Sequence, residues 1–459
     1  MRAAEQAVQT LLFPTLFAKP LVATFDTPHQ SADGGAILLK AIDDALGLTA
    51  RLAACIPEWR QAGKIEHDLP TLIRQRCFGL ACGYTDANDA AALKADPIHK
   101  LLVGRDPVTG PALASQPTLS RFENGVGPRD LYRLTQTLAD VVIAHHQARL
   151  AHKRVKRITI DLDPTDDPTH GQQELTFFNG HYDTWCYLPV VGTLTFNGER
   201  TQHLVTAILR PGNAHATLGV IGVLHRLFLK LHVAFPYARL RVRLDGGFAS
   251  PAVFRFLEQA GVEYLVAMAS NPRLEKRIRR LLGKARMRAK ATGESAALFG
   301  ETRYAAKSWD HKRRVIMKAE VVRLLGRDPR DNPRFVVTNL LQSPRRVYEI
   351  YRERGDVENR LKELHYGLGF DRTSCTRFWA NALRVLLTAA AYVLLQALRQ
   401  RLAATPAATY QVGTLRERLF KLGARVQVSA RRIVLHLPSA FPWLALWQAV
   451  ALALGASPG

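Results

Sequence analysis

The sequence predicts an α/β protein, a sheet with parallel strands covered by helices, and three observations predict it. From residue 157 onward, short runs rich in β-branched residues alternate with runs of helical periodicity. Before residue 155 the apolar residues recur at helical spacing almost throughout. Apolar content of 47% and charged content of 22% over 459 residues describe a folded chain long enough for two or three domains.

Taken in order, "GGAILLKAIDDAL" (34–46), "LPTLIRQRCFGLACGY" (69–84) and "DLYRLTQTLADVVIAHHQARL" (130–150) read as amphipathic helices. Between the last two, "SQPTLSRFEN" (115–124) follows a Pro/Gly-rich loop and opens a short helix with Thr118 as its N-cap. Its polar face of Gln116, Ser120 and Arg121 suits entry into a DNA groove, and equally suits a capped surface helix. Strands follow at 157–163, 186–196 and 203–210, then a helix at about 215–231. After these come the strand "RLRVRLD" (239–245), a helix begun by Ser250 and Pro251, and the strand "YLVAMA" (264–269). Three strands, helix, strand, helix, strand is the order of the ribonuclease-H-like fold, and strands joined through helices imply parallel pairing.

Residues 273–290 carry nine Lys or Arg against one Glu, a basic helix of the kind that meets phosphate. Strands at 313–325 and 334–341 predict a β-rich insertion before a long helix at 348–370. The apolar run 385–398 is too short to span a bilayer and is bounded by Arg384 and Arg399, so it reads as a buried helix. The expected division is a helical, DNA-binding N-terminal region (1–155), a first part of the core (156–270) and a basic β-rich insertion (271–342). The rest of the core with its Glu helix (343–400) and a C-terminal region (401–459) complete it.

Net charge is +24, from 63 Lys and Arg against 39 Asp and Glu, and such a field attracts polyanions, nucleic acid foremost. The five cysteines form no CxxC pair and have no matched His spacing, which argues against a disulfide framework or zinc knuckle and fits a reducing cytosol. Pro14, Lys19 and Pro20 interrupt the apolar pieces of the first twenty residues, so no signal peptide is evident. No membrane association is expected.

Against this basic background, "ITIDLDPTDDPTHGQ" (158–172) places four carboxylates within seven residues. Strand alternation sets Thr159, Asp161 and Asp163 on one face. Asp245 ends its strand the same way before Gly246 and Gly247 turn the chain, and such strand ends line the ligand crevice of α/β sheets. The helix 348–370 shows a buried stripe of Ile350, Val357, Leu361, Leu364 and Leu368, edged by Tyr351, Arg354, Glu358, Lys362 and His365. Two Asp at strand ends and a Glu on a later helix suit two-metal phosphoryl transfer, with hard oxygen ligands for two ions of Mg²⁺ or Mn²⁺.

These residues resemble the DDE transposases of bacterial insertion sequences, in the group whose Glu lies in a Tyr-x2-Arg-x3-Glu-x6-Lys pattern. Tyr351, Arg354 and Glu358 match that spacing, and "DPT" at Asp163 to Thr165 matches the first Asp with its Thr. "SQPTLSRFEN", "DDPTHGQQ" and "ENRLKELHYGLGFDR" extend the similarity over most of the chain. The pattern's Lys falls at 365, where this chain has His, with Lys362 nearby at another angle on the helix. The resemblance implies Asp163, Asp245 and Glu358 as catalytic metal ligands, with Asp161 a further ligand or a supporting group. It implies phosphate contacts at Tyr351, Arg354, Lys362 and His365, and an aromatic of the insertion, Trp309, stacking on a displaced base. Arg121, Arg277 and Arg280 are the further DNA contacts expected from the helical region and the basic segment.

The resulting expectation is cut-and-paste transposition. Cleavage at terminal inverted repeats is followed by transfer of the freed 3′-OH into target DNA, with double-stranded DNA as partner and a homodimer in the synaptic complex. The expected place is the cytoplasm, at the nucleoid. No GxxxxGK[ST] nucleotide loop is present, in keeping with an exchange that conserves bond energy. The alternatives are a ribonuclease-H-like nuclease and a catalytically silent, transposase-derived DNA-binding protein.

Overall fold

The computed structural model describes residues 10–457; the first nine residues, part of the expected N-terminal region, lie outside it. Three helices dominate the N-terminal third: α1 (Leu69–Cys82), α2 (Gln116–Gly125) and α3 (Pro128–Arg149). Helix α1 is capped by Asp68, whose side chain accepts from the Thr71 amide, and ends on Gly83 at φ +97°, a conformation that favours glycine. Helix α2 starts one turn earlier than expected. Ser115 stands at the N-cap with Pro117 in the first turn, and the Thr118 hydroxyl instead accepts from Arg121 (3.2 Å).

A nine-stranded mixed sheet forms the centre. Its first strands are β1 (Arg157–Pro164), β2 (Val190–Phe196) and β3 (His203–Ile208). Helix α4 (Val220–Ala234) leads to β4 (Arg239–Leu244), and α5 (Pro251–Gln259), capped by Ser250, leads to β5 (Glu263–Met268). The basic helix α6 (Pro272–Thr292) precedes β6 (Ala296–Tyr304), β7 (Arg313–Val322) and β8 (Arg334–Thr338). Along the sheet the order is β6-β7-β8-β5-β4-β1-β2-β3, with the short strand Arg330–Asp331 beside β7. β4 runs parallel to β1 and β5 parallel to β4, while every other neighbour pair on that path is antiparallel.

Four elements differ from the sequence expectation, each for a physical reason. The run 186–196 is broken at Leu188–Pro189, because proline cannot donate to a ladder; Thr184–Tyr187 joins a separate three-stranded sheet with Asp167–Pro168 and Phe177–Asn179. The insertion strands do not form a sheet of their own: β8 pairs with β5 and extends the central sheet. Strand β6 was not anticipated, its Gly300 and paired alanines being weak strand formers. The expected helix 348–370 is broken. Helix α7 (Pro344–Arg352) passes through a 3₁₀ turn at Glu353–Gly355 into α8 (Asp356–Lys362), and a π turn follows at Glu363–Gly367.

Helix α9 (Phe378–Arg401) is the spine of the core. It is longer than the run 385–398 and apolar enough to cross a membrane by composition, yet 89% of its most apolar window is buried inside the protein. Tyr392, Leu394 and Leu395 have no exposure, and one continuous buried cluster joins α1, α3, the sheet and the C-terminal segment as far as Val450. The C-terminal strand Ala424–Val428 pairs with Gln30–Ser31, so the two ends of the described chain meet in one small sheet.

Candidate active site

Parallel register builds the site. Leu244 of β4 lies opposite Leu162 of β1, so the following residues come side by side at the carboxyl edge: Asp245 just past the end of β4, and Asp163 still in β1, paired on its other side with Val191 of β2. Asp245 is held in place locally: its Oδ1 accepts from the Gly247 amide (3.0 Å) and caps the 3₁₀ turn Gly246–Phe248. A Cβ at Gly247 would meet Ala216 Cβ at 2.9 Å, so the turn needs glycine there.

The broken helix supplies the rest. From the 3₁₀ turn, Arg354 reaches back so that Nη1 lies 3.0 Å from Asp163 Oδ2, with its guanidinium 5.9 Å from the half-buried Tyr351 ring. Burial, together with the neighbouring Asp245 and Glu358 carboxylates, pushes the Asp163 carboxyl up to about 7 against the pull of Arg354. Arg354 is itself held charged, since Asp163 and Tyr351 outweigh the effect of its burial. Asp163, Asp245, Glu358, Arg354 and Tyr351 are therefore one electrostatic cluster, in which Arg354 faces several acids. Such a set of hard oxygens with surplus negative charge fits divalent cations.

Asp161, on the same strand face, has a different environment. It is fully buried, and both its oxygens are taken: Arg243, its register partner on β4, donates from Nε and Nη2 at 2.7 Å each, and Gln202 donates at 3.0 Å. Arg243 Nη1 also donates to the Ile350 carbonyl (2.9 Å) and to Glu353 (3.1 Å), tying the sheet to the helix break. Three donors thus engage the two oxygens of the buried Asp161, while the Arg354 side chain faces Asp163. Asp167 is a buried strand residue; it accepts from the Thr373 hydroxyl (2.9 Å), and burial pushes it up to about 8.

His365 joins the edge of the cluster through Thr165, with Nε2 3.1 Å from Oγ1. The other expected contacts lie apart from the carboxylates. Trp309 is half-buried, wedged between Phe254 (5.0 Å) and Tyr304 (5.6 Å) with the Arg313 guanidinium 5.3 Å from its ring. Arg121 is exposed on α2. On α6, Arg277 bonds Thr302 (2.6 Å), while Arg280 is exposed with no hydrogen-bond or ion-pair partner among the described residues. Lys362 lines a separate cleft of about 1150 Å³ beside α8.

Two residues at the site were not anticipated. Burial, with Asp166, Asp163 and Asp245 close by, pushes the Tyr182 phenol up to about 12. Arg210 ends β3's segment with 5% exposure, bonded to the carbonyls of Leu188 (2.8 Å) and Ala216 (2.9 Å), and burial lowers it to about 10 while Tyr182 and Asp245 oppose that shift. A charged residue closing an otherwise apolar strand, "HLVTAILR", is the signal that could have found it. Elsewhere, potential ligand atoms of Asp33, Cys82 and His99 lie within 4.8 Å of one another, but Asp33 already carries His99 (2.8 Å) and the Lys421 ammonium (2.7 Å).

With this geometry in view, the family model described as "Transposase DDE domain group 1" matches residues 13–458. No curated protein matches the chain.

Proposed function

The chain belongs to the family of transposase DDE domains, group 1, and from that premise we propose that it is an insertion-sequence transposase of the Tyr-x2-Arg-x3-Glu-x6-Lys group. In this reading it cuts at the element's terminal inverted repeats and joins the freed 3′-OH to target DNA. The central strand order β3-β2-β1-β4-β5, with β1, β4 and β5 parallel, supports reading the core as ribonuclease-H-like. The helical N-terminal region and α6 are its proposed DNA-binding parts, and two copies in a synaptic homodimer would each hold one end.

One observation carries the reading: Asp163 and Asp245 stand at the carboxyl edges of adjacent parallel strands, Arg354 reaches Asp163 from a broken helix, and the same helix brings the Glu358 charge close enough to act on Asp163. Asp163, Asp245 and Glu358 would hold two Mg²⁺ or Mn²⁺ ions. The chemistry such ions supply is activation of a water and stabilisation of the departing oxygen in an in-line displacement. Arg354, backed by Tyr351, supplies a positioned cation for the scissile phosphate, and its planar fork suits two phosphate oxygens at once. Asp161 and Arg243 keep the floor of the site rigid.

The test is strand cleavage of labelled DNA carrying the element's own end, with Mg²⁺ or EDTA, for wild type and Glu358→Gln. Metal-dependent cuts at the repeat boundary, lost in the variant while DNA binding persists, are the expected result. Tight end binding without any cutting by the wild type would make the chain a DNA-binding remnant. Cutting regardless of the end would make it a nuclease.

A further inference from the structure

Helix α8 and its π turn present two faces. At about 100° per residue, Asp356, Asn359, Arg360, Glu363 and Gly367 share one side, and Glu358 and His365 lie roughly opposite. The second face carries the site above; the first lines the large cleft. We propose that this cleft is a second phosphate-binding groove, taking the backbone of a DNA strand that passes behind the Glu358 helix. The inference deepens the transposase reading and rests on it for the identity of the strand.

Charge carries the argument. The cleft, about 1150 Å³, is lined by Arg149, Arg200, Arg360, Lys362 and Arg399 against Glu199, Asp356 and Glu363. Two of its three carboxylates are spent, and exposed Asp356 is outnumbered by the unpaired cations Arg200 and Lys362. Glu199 is held by Arg149 (2.9 Å), and Glu363 is shared by Arg399 (2.5 Å), Arg360 (3.3 Å) and the Tyr392 hydroxyl (2.5 Å). Two arginines on one buried carboxylate leave a positive surplus on that wall. Arg200, on the β2–β3 turn, and Lys362 are exposed and have no hydrogen-bond or ion-pair partner among the described residues. Two unpaired cations contributed by different elements, the β2–β3 turn and α8, beside arginines already held by Glu363, form a ready acceptor for phosphate oxygens.

The charged lining favours a phosphate-bearing ligand over an apolar small molecule. Small-ligand pockets run to roughly 1,000 Å³ and are mostly apolar. This cleft is as large, and charged side chains make up much of its lining. At its lip Tyr366 is 89% exposed, a ring free to stack on a base or lie against a sugar. A π turn beneath it, Glu363–Gly367, widens the helix at this point.

Phosphate could come from a DNA strand or from a free nucleotide, and the experiment separates the two. Binding of labelled duplex DNA is measured by anisotropy against salt, in EDTA, for wild type and Arg200→Ala/Lys362→Ala, with thermal melting as the folding control. Loss of two phosphate contacts should flatten the slope of log K against log salt by about 2, at ~0.9 per contact. In parallel, a nucleoside triphosphate is titrated into both proteins. Saturable triphosphate binding lost in the variant, with the DNA slope unchanged, would overturn the DNA assignment in favour of a nucleotide. An unchanged slope with no triphosphate binding would overturn the groove altogether. Because the measurement is made without metal, its failure leaves the cleavage assay untouched, and failure of cleavage leaves the slope to be read.

Discussion

Arg354 reaches Asp163 through a break in its own helix, with Nη1 3.0 Å from Oδ2. The break is held by Arg243, which donates to the Ile350 carbonyl in the last turn of α7 and to the Glu353 carboxylate while gripping Asp161 with its other edge. One strand face thus carries two carboxylate–arginine rungs. The Asp161–Arg243 rung is sealed and structural; the Asp163–Arg354 rung opens on the cluster of acids. In the DNA-free protein Arg354 stands where a divalent cation would be drawn, so phosphate and metal compete for related partners.

Replacing Arg354 by Gln should therefore act in opposite directions on two measurements. Mn²⁺ binding to the DNA-free protein, followed by electron paramagnetic resonance, should tighten by about tenfold, ~1.4 kcal/mol. Strand cleavage should fall by ~100-fold or more, because a preorganised cation at the phosphate is lost. Weaker Mn²⁺ binding in the variant would mean that Arg354 shapes the site and does not compete with metal.

The sealed rung predicts a different pattern. Removing one partner of a buried pair strands the other charge, typically at ~3–5 kcal/mol. Arg243→Met should lower unfolding stability by that order in urea, whereas the Arg243→Met/Asp161→Leu double variant should recover much of it. Asp161→Asn should keep Mn²⁺ affinity within about threefold, because both carboxylate oxygens are already engaged by Arg243 and Gln202. A large loss of Mn²⁺ affinity in Asp161→Asn with the fold intact would make Asp161 a ligand after all.

The carboxylates at the strand ends were legible because strand alternation and an Asp-Gly-Gly turn are local signals, and β1 and β4 formed where those signals stood. The pairing of Asp161 with Arg243 was not, since it depends on which strand lies beside β1 and in what register. The helix break was hidden for another reason: its apolar positions, Val357 and Leu364 among them, keep their spacing across the 3₁₀ turn, so periodicity runs on where the backbone does not. Trp309 shows the converse. The sequence around it suits a base-stacking ring and a ring half buried in the insertion sheet equally well, and only the packed structure shows Phe254 and Tyr304 against it.

Trp309→Ala is accordingly expected to read out as a stability change. Loss of a half-buried ring from this aromatic cluster should cost ~1–3 kcal/mol of unfolding free energy, with affinity for end DNA changed by less than about twofold. A variant as stable as wild type but defective in DNA binding would return Trp309 to the DNA.

Asp167 should make the metal-free protein less stable as pH rises. Its carboxyl is raised from 3.8 to about 8 in the folded state by burial, with Asp371 and Asp166 adding to the shift and the Thr373 hydrogen bond opposing it. The folded chain therefore keeps a proton that the unfolded chain releases, so the contribution is full below pH ~4 and is lost as pH climbs towards 8. Asn at 167 cannot ionise but can still accept from the Thr373 hydroxyl. The stability of Asp167→Asn relative to wild type should grow by up to ~1.4 kcal/mol per pH unit between 5 and 7, measured by urea denaturation in EDTA. A difference independent of pH would show that Asp167 is ionised in the fold and that a cation near Asp167 and Asp371 balances it.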